Sequence, residues 1–226
     1  ERRTRLPPID VVRLGDLAAQ ATAPADPPAL TRLRPEKPFA LAVGTLEVRK
    51  NHGILYQVWR RLLLEHGPAL PRLVLAGQPG WLSNEFRVQM QFDPVIQGEI
   101  VHLAATTDRE MNWLYRNCLF TLYPSHYEGW GLPVAESLAR GKYCIASGTS
   151  SLPEVGGDLV DYHDPLDFVG LKRLAERALF DDAYRERREA QIRACYRPTH
   201  WKDCARSVLG FFRPPAGAEY SVRASA

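Results

Sequence analysis

The chain has 226 residues, 45% hydrophobic and 24% charged, ordinary values for a globular protein with a core of its own. With 29 basic against 26 acidic side chains the net charge is +3, too balanced for nucleic acid or an anionic membrane to be the main partner. No apolar run approaches the ~18 residues that cross a bilayer, so no transmembrane segment is expected.

The first residues (Glu1-Arg2-Arg3-Thr4) do not read as a signal peptide and open in mid-protein style, so a leader in a preceding region stays open. Cys118, Cys144, Cys195 and Cys204 make no C-x-x-C pair and read as buried thiols of a reducing compartment. The expected location is cytoplasmic, which is compatible with peripheral association at the inner face of a membrane.

A short apolar run, Ile9 to Leu14, opens the chain and is expected to form a strand at a domain junction. Pro24, Pro27, Pro28, Pro35 and Pro38 then mark a connector, since proline supports neither a helix interior nor a central strand. Residues 1–38 are thus read as strand and linker, 39–212 as the main domain, and 213–226 as a flexible tail.

Within the domain, apolar runs predict buried parallel strands at Phe39–Val43, Leu73–Ala76, Ile100–Leu103, Leu119–Tyr123, Tyr143–Ala146 and Leu159–Tyr162. Ile54, Leu55, Val58, Leu62 and Leu63 recur at helical spacing, as do Met111, Leu114 and Tyr115. A helix starts near Pro133, well placed for a first turn, and two or three more run from about Asp167 to Phe212. Strand and helix alternate without an internal repeat. The prediction is an α/β fold, a doubly wound parallel sheet with right-handed crossovers. Such sheets bind ligands beyond the carboxyl ends of their strands, so those loops carry the chemistry.

The first loop, Val43-Gly44-Thr45-Leu46-Glu47-Val48-Arg49-Lys50-Asn51, sets two adjacent cations before a helix, with Asn51 placed to cap it. Gly44 allows a tight turn or close approach of a ligand. Two cations beside a positive helix end suit a diphosphate; a plain surface Arg-Lys pair competes evenly with that reading. The second loop, Gly77-Gln78-Pro79-Gly80-Trp81, reads best as a structural turn beneath the same place.

The strongest feature is His126-Tyr127-Glu128-Gly129-Trp130-Gly131-Leu132-Pro133-Val134-Ala135-Glu136. Glu128 lies in a Gly-rich loop, and Glu136 lies about one turn into the helix that follows. Two carboxylates can accept from sugar and ribose hydroxyls, while N–H groups of the Gly131 to Val134 segment face an anion between them. Acceptors outside and donors within match a nucleoside diphosphate sugar. A solvated Glu and a dipole-favouring Glu are the plainer alternative, but they leave Gly129, Gly131 and the aromatics unexplained. His126 could touch a sugar, although a plain loop histidine is the commoner reading.

Other phosphate motifs fail. Gly129-Trp130-Gly131 does not extend to a dinucleotide fingerprint, because a proline intervenes and the sixth position is Val134. Gly141-Lys142 lacks the rest of a P-loop, and no acidic pair has the spacing of a metal–diphosphate clamp.

These segments resemble the retaining GT-B glycosyltransferases, a family that includes bacterial mannosyltransferases of polysaccharide and O-antigen synthesis. The carrying stretches are VGTLEVRKNH, LVLAGQPGW, YPSHYEGWGLPVAESLARGKYCIAS and SLPEVGG. The third holds the family's E-x7-E motif, Glu128 to Glu136. The match is to the C-terminal, donor-binding, Rossmann-like half of that fold and runs from roughly Ile9 to Phe212.

The resemblance implies a retaining hexosyltransferase in which Arg49 and Lys50 hold the diphosphate and stabilise charge on the leaving nucleotide. It gives Glu128 the donor-sugar hydroxyls and Glu136 the ribose. Gly131, Leu132 and Pro133, with Gly44, Thr45, Gly77, His126 and Gly129, line the pocket, and backbone near Leu103 meets the base. Thr45 stands where many members carry an Arg, with Arg49 placed to compensate. No cofactor and no metal are expected; the nucleotide diphosphate sugar is a substrate, with GDP-mannose preferred.

The resemblance also implies an N-terminal GT-B domain that binds a saccharide or lipid-linked acceptor, and this chain has no room for it. The chain is therefore expected to be a fragment, inactive alone, with the apolar face of its last helix exposed or dimerised. A non-catalytic nucleotide-sugar-binding module is the competing reading. A dinucleotide-dependent oxidoreductase fails for want of its glycine fingerprint.

Overall fold

The computed structural model describes residues 10–16 and 37–212. It divides into two compact units, Gln20–Arg197 and a second made of Glu1–Ala19 with Pro198–Ala226.

Among the described residues of the larger unit, six strands form one sheet. They are β1 (Phe39–Val43), β2 (Arg72–Ala76), β3 (Ile100–Leu103), β4 (Thr121–Tyr123), β5 (Cys144–Ser147) and β6 (Asp161–His163). Every neighbouring pair is parallel, in the order β3-β2-β1-β4-β5-β6. Between and after them lie α1 (His52–His66), α2 (Asn84–Phe92), α3 (Asp108–Asn117), α4 (Leu132–Ala139), α5 (Leu152–Gly156), α6 (Phe168–Phe180) and α7 (Asp182–Cys195). The strand order reverses between β1 and β4, which makes the crevice beyond their carboxyl ends the expected ligand position.

The pleat of β1 explains both layers. Ala40 and Ala42 face one side, against Leu55, Val58 and Leu62 of α1 and Leu171 and Ala175 of α6. Phe39 and Leu41 face the other, against Leu114 and Tyr115 of α3. Burial on both faces is why the strands read as continuous apolar runs rather than alternating ones. Under β4 and β5, Tyr123, Ala146, Val134, Leu138 and Leu152 close a third cluster with α4 and α5. Trp59 is fully buried, and its indole N–H donates to the Pro71 carbonyl at 3.0 Å, so its polar atom is satisfied.

The doubly wound sheet is the predicted one, with shifts at its margins. The last strand sits at Asp161–His163 rather than Leu159–Tyr162, because Gly157–Leu159 is spent on a 3-10 turn. Two helices escaped the periodicity. Helix α2 buries no residue fully and meets the core only through the partly buried Phe86 and Met90, too short a stripe to stand out, and α5 is only five residues long. Cys118 and Cys144 are buried, and burial pushes both thiols up to about 12. Cys195 is exposed and Cys204 half-buried, so the buried-thiol reading holds for only two of the four.

In the second unit, residues 10–14 form no strand, contrary to expectation; Ile9, the connector from 17 to 36 and the tail from 213 lie outside the described residues. Asp16 is buried, its N–H donating to the Thr199 carbonyl at 2.9 Å and its Oδ2 accepting from the Thr199 N–H at 3.0 Å. Helix α8 (Trp201–Phe211) follows and exposes Trp201, Leu209 and Phe211.

Two glycines test the packing in opposite directions. A Cβ on Gly77 would lie 2.1 Å from the Gly44 carbonyl oxygen, whereas one on Gly53 meets nothing within 4 Å. Gly77→Ala is expected to cost about 3 kcal/mol of unfolding free energy. Gly53→Ala, in α1, is expected to be neutral or to gain up to about 1 kcal/mol. Urea denaturation of the two variants measures both.

Candidate functional site

The loops after β1 and β2 are built as one piece. The Leu46 N–H donates to the Gln78 carbonyl and the Gly80 N–H to the Leu46 carbonyl, each at 2.8 Å. The Leu46 side chain is fully buried beneath them. The second loop is thus the structural turn its sequence suggested, and Gly77 is where two backbones touch. Its N–H donates to the Leu103 carbonyl at 3.0 Å, tying the end of β3 to the same block. Thr45 packs there too: a Cβ on Gly80 would fall 2.5 Å from its methyl carbon.

Arg49 and Lys50 lie in a one-turn 3-10 helix, Val48–Lys50, that precedes α1. Asn51 joins the two helices in the left-handed region, φ 56°, a conformation Asn tolerates better than most residues. Its side chain does not cap α1, contrary to expectation. Instead its amide donates to the Pro124 carbonyl at 3.1 Å and the Pro165 carbonyl at 2.8 Å, pinning the loop to the ends of β4 and β6. The His126 N–H donates to the Arg49 carbonyl at 2.8 Å, a second tie between the same loops.

These ties bring both cations onto one carboxylate. Lys50 Nζ donates to Glu128 Oε1 at 2.6 Å, and Arg49 Nη1 donates to Glu128 Oε2 at 2.8 Å. Arg49 also donates to the Tyr127 carbonyl at 2.8 Å and to Glu47 Oε1 at 2.6 Å. Ser125 Oγ adds a third bond to Glu128 at 2.7 Å. A Cβ on Gly44 would come within 3.4 Å of Lys50 Cε, so the bare backbone there makes room for the lysine stem. Burial pushes the Glu128 carboxyl up, but the bonds from Lys50, Ser125 and Arg49 outweigh it and hold it below the usual carboxylate range. The bond to Glu128 likewise raises the Arg49 guanidinium.

Glu136 has a separate support. It is half-buried on α4, and the fully buried Tyr115 phenol donates to its Oε2 at 2.9 Å. Burial, with Tyr123 and Glu136 alongside, pushes the Tyr115 hydroxyl well up, so it stays a protonated donor. Helix α4 begins after Gly131, whose φ is 103° and where an added Cβ would fall 2.5 Å from Leu152 Cδ2. The expected row of N–H donors is shorter than the sequence suggested. Pro133 has no N–H, and that of Val134 donates to the Gly131 carbonyl at 3.0 Å, leaving Leu132 to lead the helix end. Gly129, with open space around it, and His126 are exposed.

The sequence reading missed a set of hydroxyls behind this loop. Ser147 Oγ donates to the Ser125 carbonyl at 2.5 Å, Ser151 Oγ to the Trp130 carbonyl at 2.8 Å, and the Glu128 N–H donates to Ser150 Oγ at 2.9 Å. A run of Gly, Ser and Thr after a strand looks like any turn, so only the fold reveals what it faces. His52 was missed too. It is buried at the start of α1, beside a cavity of about 190 Å3 that Leu46, Val48, Phe86 and His126 also line. Burial, with Lys50 and His102 nearby, lowers it to about 4.

One group among the described residues brings three metal-capable side chains together, Glu65, His66 and Glu176. Lys172 donates to both of its carboxylates, at 2.7 and 2.8 Å, so it reads as an ion-pair network.

Residues 29–189 match the sequence model of the family described as glycosyl transferases group 1. The chain belongs to this family. It is 32% identical over 175 residues to O-antigen chain mannosyltransferase B of Escherichia coli, a match that covers 77% of this chain and 45% of that protein. It is 31% identical over 203 residues to D-inositol 3-phosphate glycosyltransferase of Xylanimonas cellulosilytica, covering 84% of this chain and 46% of that one. The solved UDP-forming α,α-trehalose-phosphate synthase from Burkholderia xenovorans superposes with a TM-score of 0.67 at 20% identity, over 85% of this chain and 48% of that one. At that identity the likeness shows the fold, the Rossmann-like GT-B half that the motifs implied. The chain spans under half the length of these relatives. No helix among the described residues is long and apolar enough to cross a membrane.

In this glycosyltransferase domain His52 and Glu128 titrate in separate windows. His52 is depressed from 6.5 to about 4, so the unfolded chain takes up its proton as the pH falls through 6.5 while the folded chain does not. Its stabilisation is full above 6.5 and lost down to about 4. Glu128 is also depressed, and its stabilisation is lost below the usual carboxylate range as the pH falls through its folded value. Melting temperatures across pH 7 to 3 are expected to show His52→Gln flattening the upper window and Glu128→Gln only the lower.

Proposed function

We propose that this chain is the donor-binding half of a retaining glycosyltransferase that takes a nucleotide diphosphate sugar, GDP-mannose by preference. The observation that carries the reading is the gathering of Arg49 and Lys50 on Glu128 at the reversal of strand order. The names of the mannosyltransferase relatives support the choice of sugar.

Two cations face Glu128 and Glu47 in this arrangement, so the cluster is close to neutral as it stands. A diphosphate carries more charge than either carboxylate and draws Arg49 and Lys50 onto its oxygens, where they stabilise the departing nucleotide. Glu128, released from its lysine, then accepts from hydroxyls of the donor sugar. Glu136 accepts from the ribose, its orientation fixed by Tyr115. Gly44, Gly131, Leu132 and Pro133 let the donor approach the backbone, Thr45 and Gly77 shape the floor, and Leu103 lies toward the base. His126 and Gly129 reach the sugar from the exposed side. With two side-chain cations on the phosphates, the reaction needs no metal. The acceptor, a saccharide or lipid-linked one, binds the portion of the relatives' length that this chain does not span.

The test is calorimetry and thermal shift with GDP, UDP, ADP and dTDP, with and without magnesium. One nucleotide is expected to bind regardless of magnesium, and Lys50→Ala and Glu136→Ala to abolish the shift, about 2.7 kcal/mol at a hundred times Kd. Glu128→Gln is expected to change sign between ligands. GDP binds about five-fold tighter once the carboxylate no longer competes for the cations, while GDP-mannose loses its advantage over GDP. Absence of binding by every nucleotide at millimolar concentration would sink the proposal.

A further inference from the structure

We propose that Ser150 is a positioning residue for sugar recognition, acting through the backbone of Glu128; this rests on the donor reading above. The loop between β5 and α5, Gly148–Ser151, faces the Glu128 loop from behind and reaches it at several points. Thr149 Oγ1 donates to the His126 carbonyl at 3.3 Å. Ser151 Oγ shares its proton between the carbonyls of Glu128, at 3.0 Å, and Trp130, at 2.8 Å. Between them Ser150 accepts the Glu128 N–H at 2.9 Å.

Three consecutive hydroxyls cannot all meet one neighbouring loop from an extended strand, where side chains alternate. The chain solves this by placing Ser150 in the left-handed region, φ 51°. Serine gains nothing intrinsic there, since the region is costly for residues with a Cβ other than Asn and Asp. Strain of this kind persists where the surroundings hold it and collects at ligand-contacting sites. What holds it here is the turn closed by the Leu152 N–H on the Thr149 carbonyl, at 3.2 Å, together with the bond to Glu128. Gly129, next in the chain, has nothing within 4 Å of where a Cβ would sit, so no packing on that side sets the direction of the carboxylate. Once the cations have left, its direction rests on the Ser125 hydroxyl, at 2.7 Å, and on the two peptide groups of Glu128, one end on Ser150 and the other on Ser151.

The consequence is selective. The sugar contact depends on where Glu128 points after its cations have moved to the diphosphate, whereas Glu128 affects the nucleotide only by the charge with which it competes for those cations, which a change at Ser150 leaves in place. Ser150 therefore affects the preference for a nucleotide sugar over the bare nucleotide.

The experiment measures Kd for GDP and for GDP-mannose, by calorimetry on the full chain, in Ser150→Ala, Ser150→Gly and Glu128→Gln. Ser150→Ala removes the acceptor and keeps the strain; Ser150→Gly removes the acceptor and relieves the strain. Both are expected to cut the ratio of GDP to GDP-mannose Kd by about five-fold, the worth of one hydrogen bond, with GDP affinity within about two-fold of the parent. Ser150→Gly is expected to melt no lower than the parent, which separates positioning from folding. A parental ratio in Ser150→Gly, or an equal loss for both ligands in either variant, overturns the assignment. A parental ratio in Glu128→Gln overturns the underlying reading of Glu128 instead.

Discussion

Arg49 and Lys50 on Glu128 form the contact on which the rest of the site depends. It joins the loop after β1 to the loop after β4, the two strands between which the sheet reverses order. An exposed ion pair contributes little, but this carboxylate is about 9% exposed and the lysine is largely covered. Removing either partner leaves a poorly solvated charge, so the pair holds geometry more than it adds stability. Both cations are thereby kept at one point, with their positive charge masked by Glu128 and Glu47.

The backbone around that contact is arranged in tiers. Leu46, buried under the first loop, anchors its start, and Asn51 ties its end to the ends of β4 and β6. The hydroxyls of Ser125, Ser147, Ser150 and Ser151 hold the loop after β4 by its peptide groups and its carboxylate. Each hydroxyl serves as donor, acceptor or both at short reach, which suits a loop whose own glycines supply no side-chain packing. The site is therefore carried by strand ends and short polar ties, an arrangement that holds the charged groups 2.6 to 2.8 Å from one another. Glu136 belongs to a different tier. It rides on α4 and is set by a buried phenol of α3, so the two carboxylates of one motif are fixed by different parts of the protein.

Much of this was legible in the chain. Runs such as Phe39–Val43 and Ile100–Leu103 are apolar without alternation, which only a sheet covered on both faces requires, and they proved to be strands at those limits. Helix α1 showed itself by the spacing of Ile54, Leu55, Val58, Leu62 and Leu63. The loops with Arg49, Lys50, Glu128 and Glu136 stood out because charged residues and glycines cluster at strand ends. Helix α2 was not legible, because it meets the core only through the partly buried Phe86 and Met90, too few positions to mark a period.

The sequence by itself determined the fold class, the family and which loops carry charge, because those follow from residue types at fixed local spacing. Only the tertiary structure decided how the charges meet. Arg49 and Glu128 are 79 positions apart, and Asn51 and Pro165 are 114 apart. No local pattern shows that Asn51 is a tether rather than a cap, or that Ser150 faces a peptide N–H. The carboxylate expected to lie open to a sugar was found clasped by the two cations expected to hold a phosphate. Pairing of this kind depends on which loops the strand order sets side by side, and that order follows from packing the whole chain.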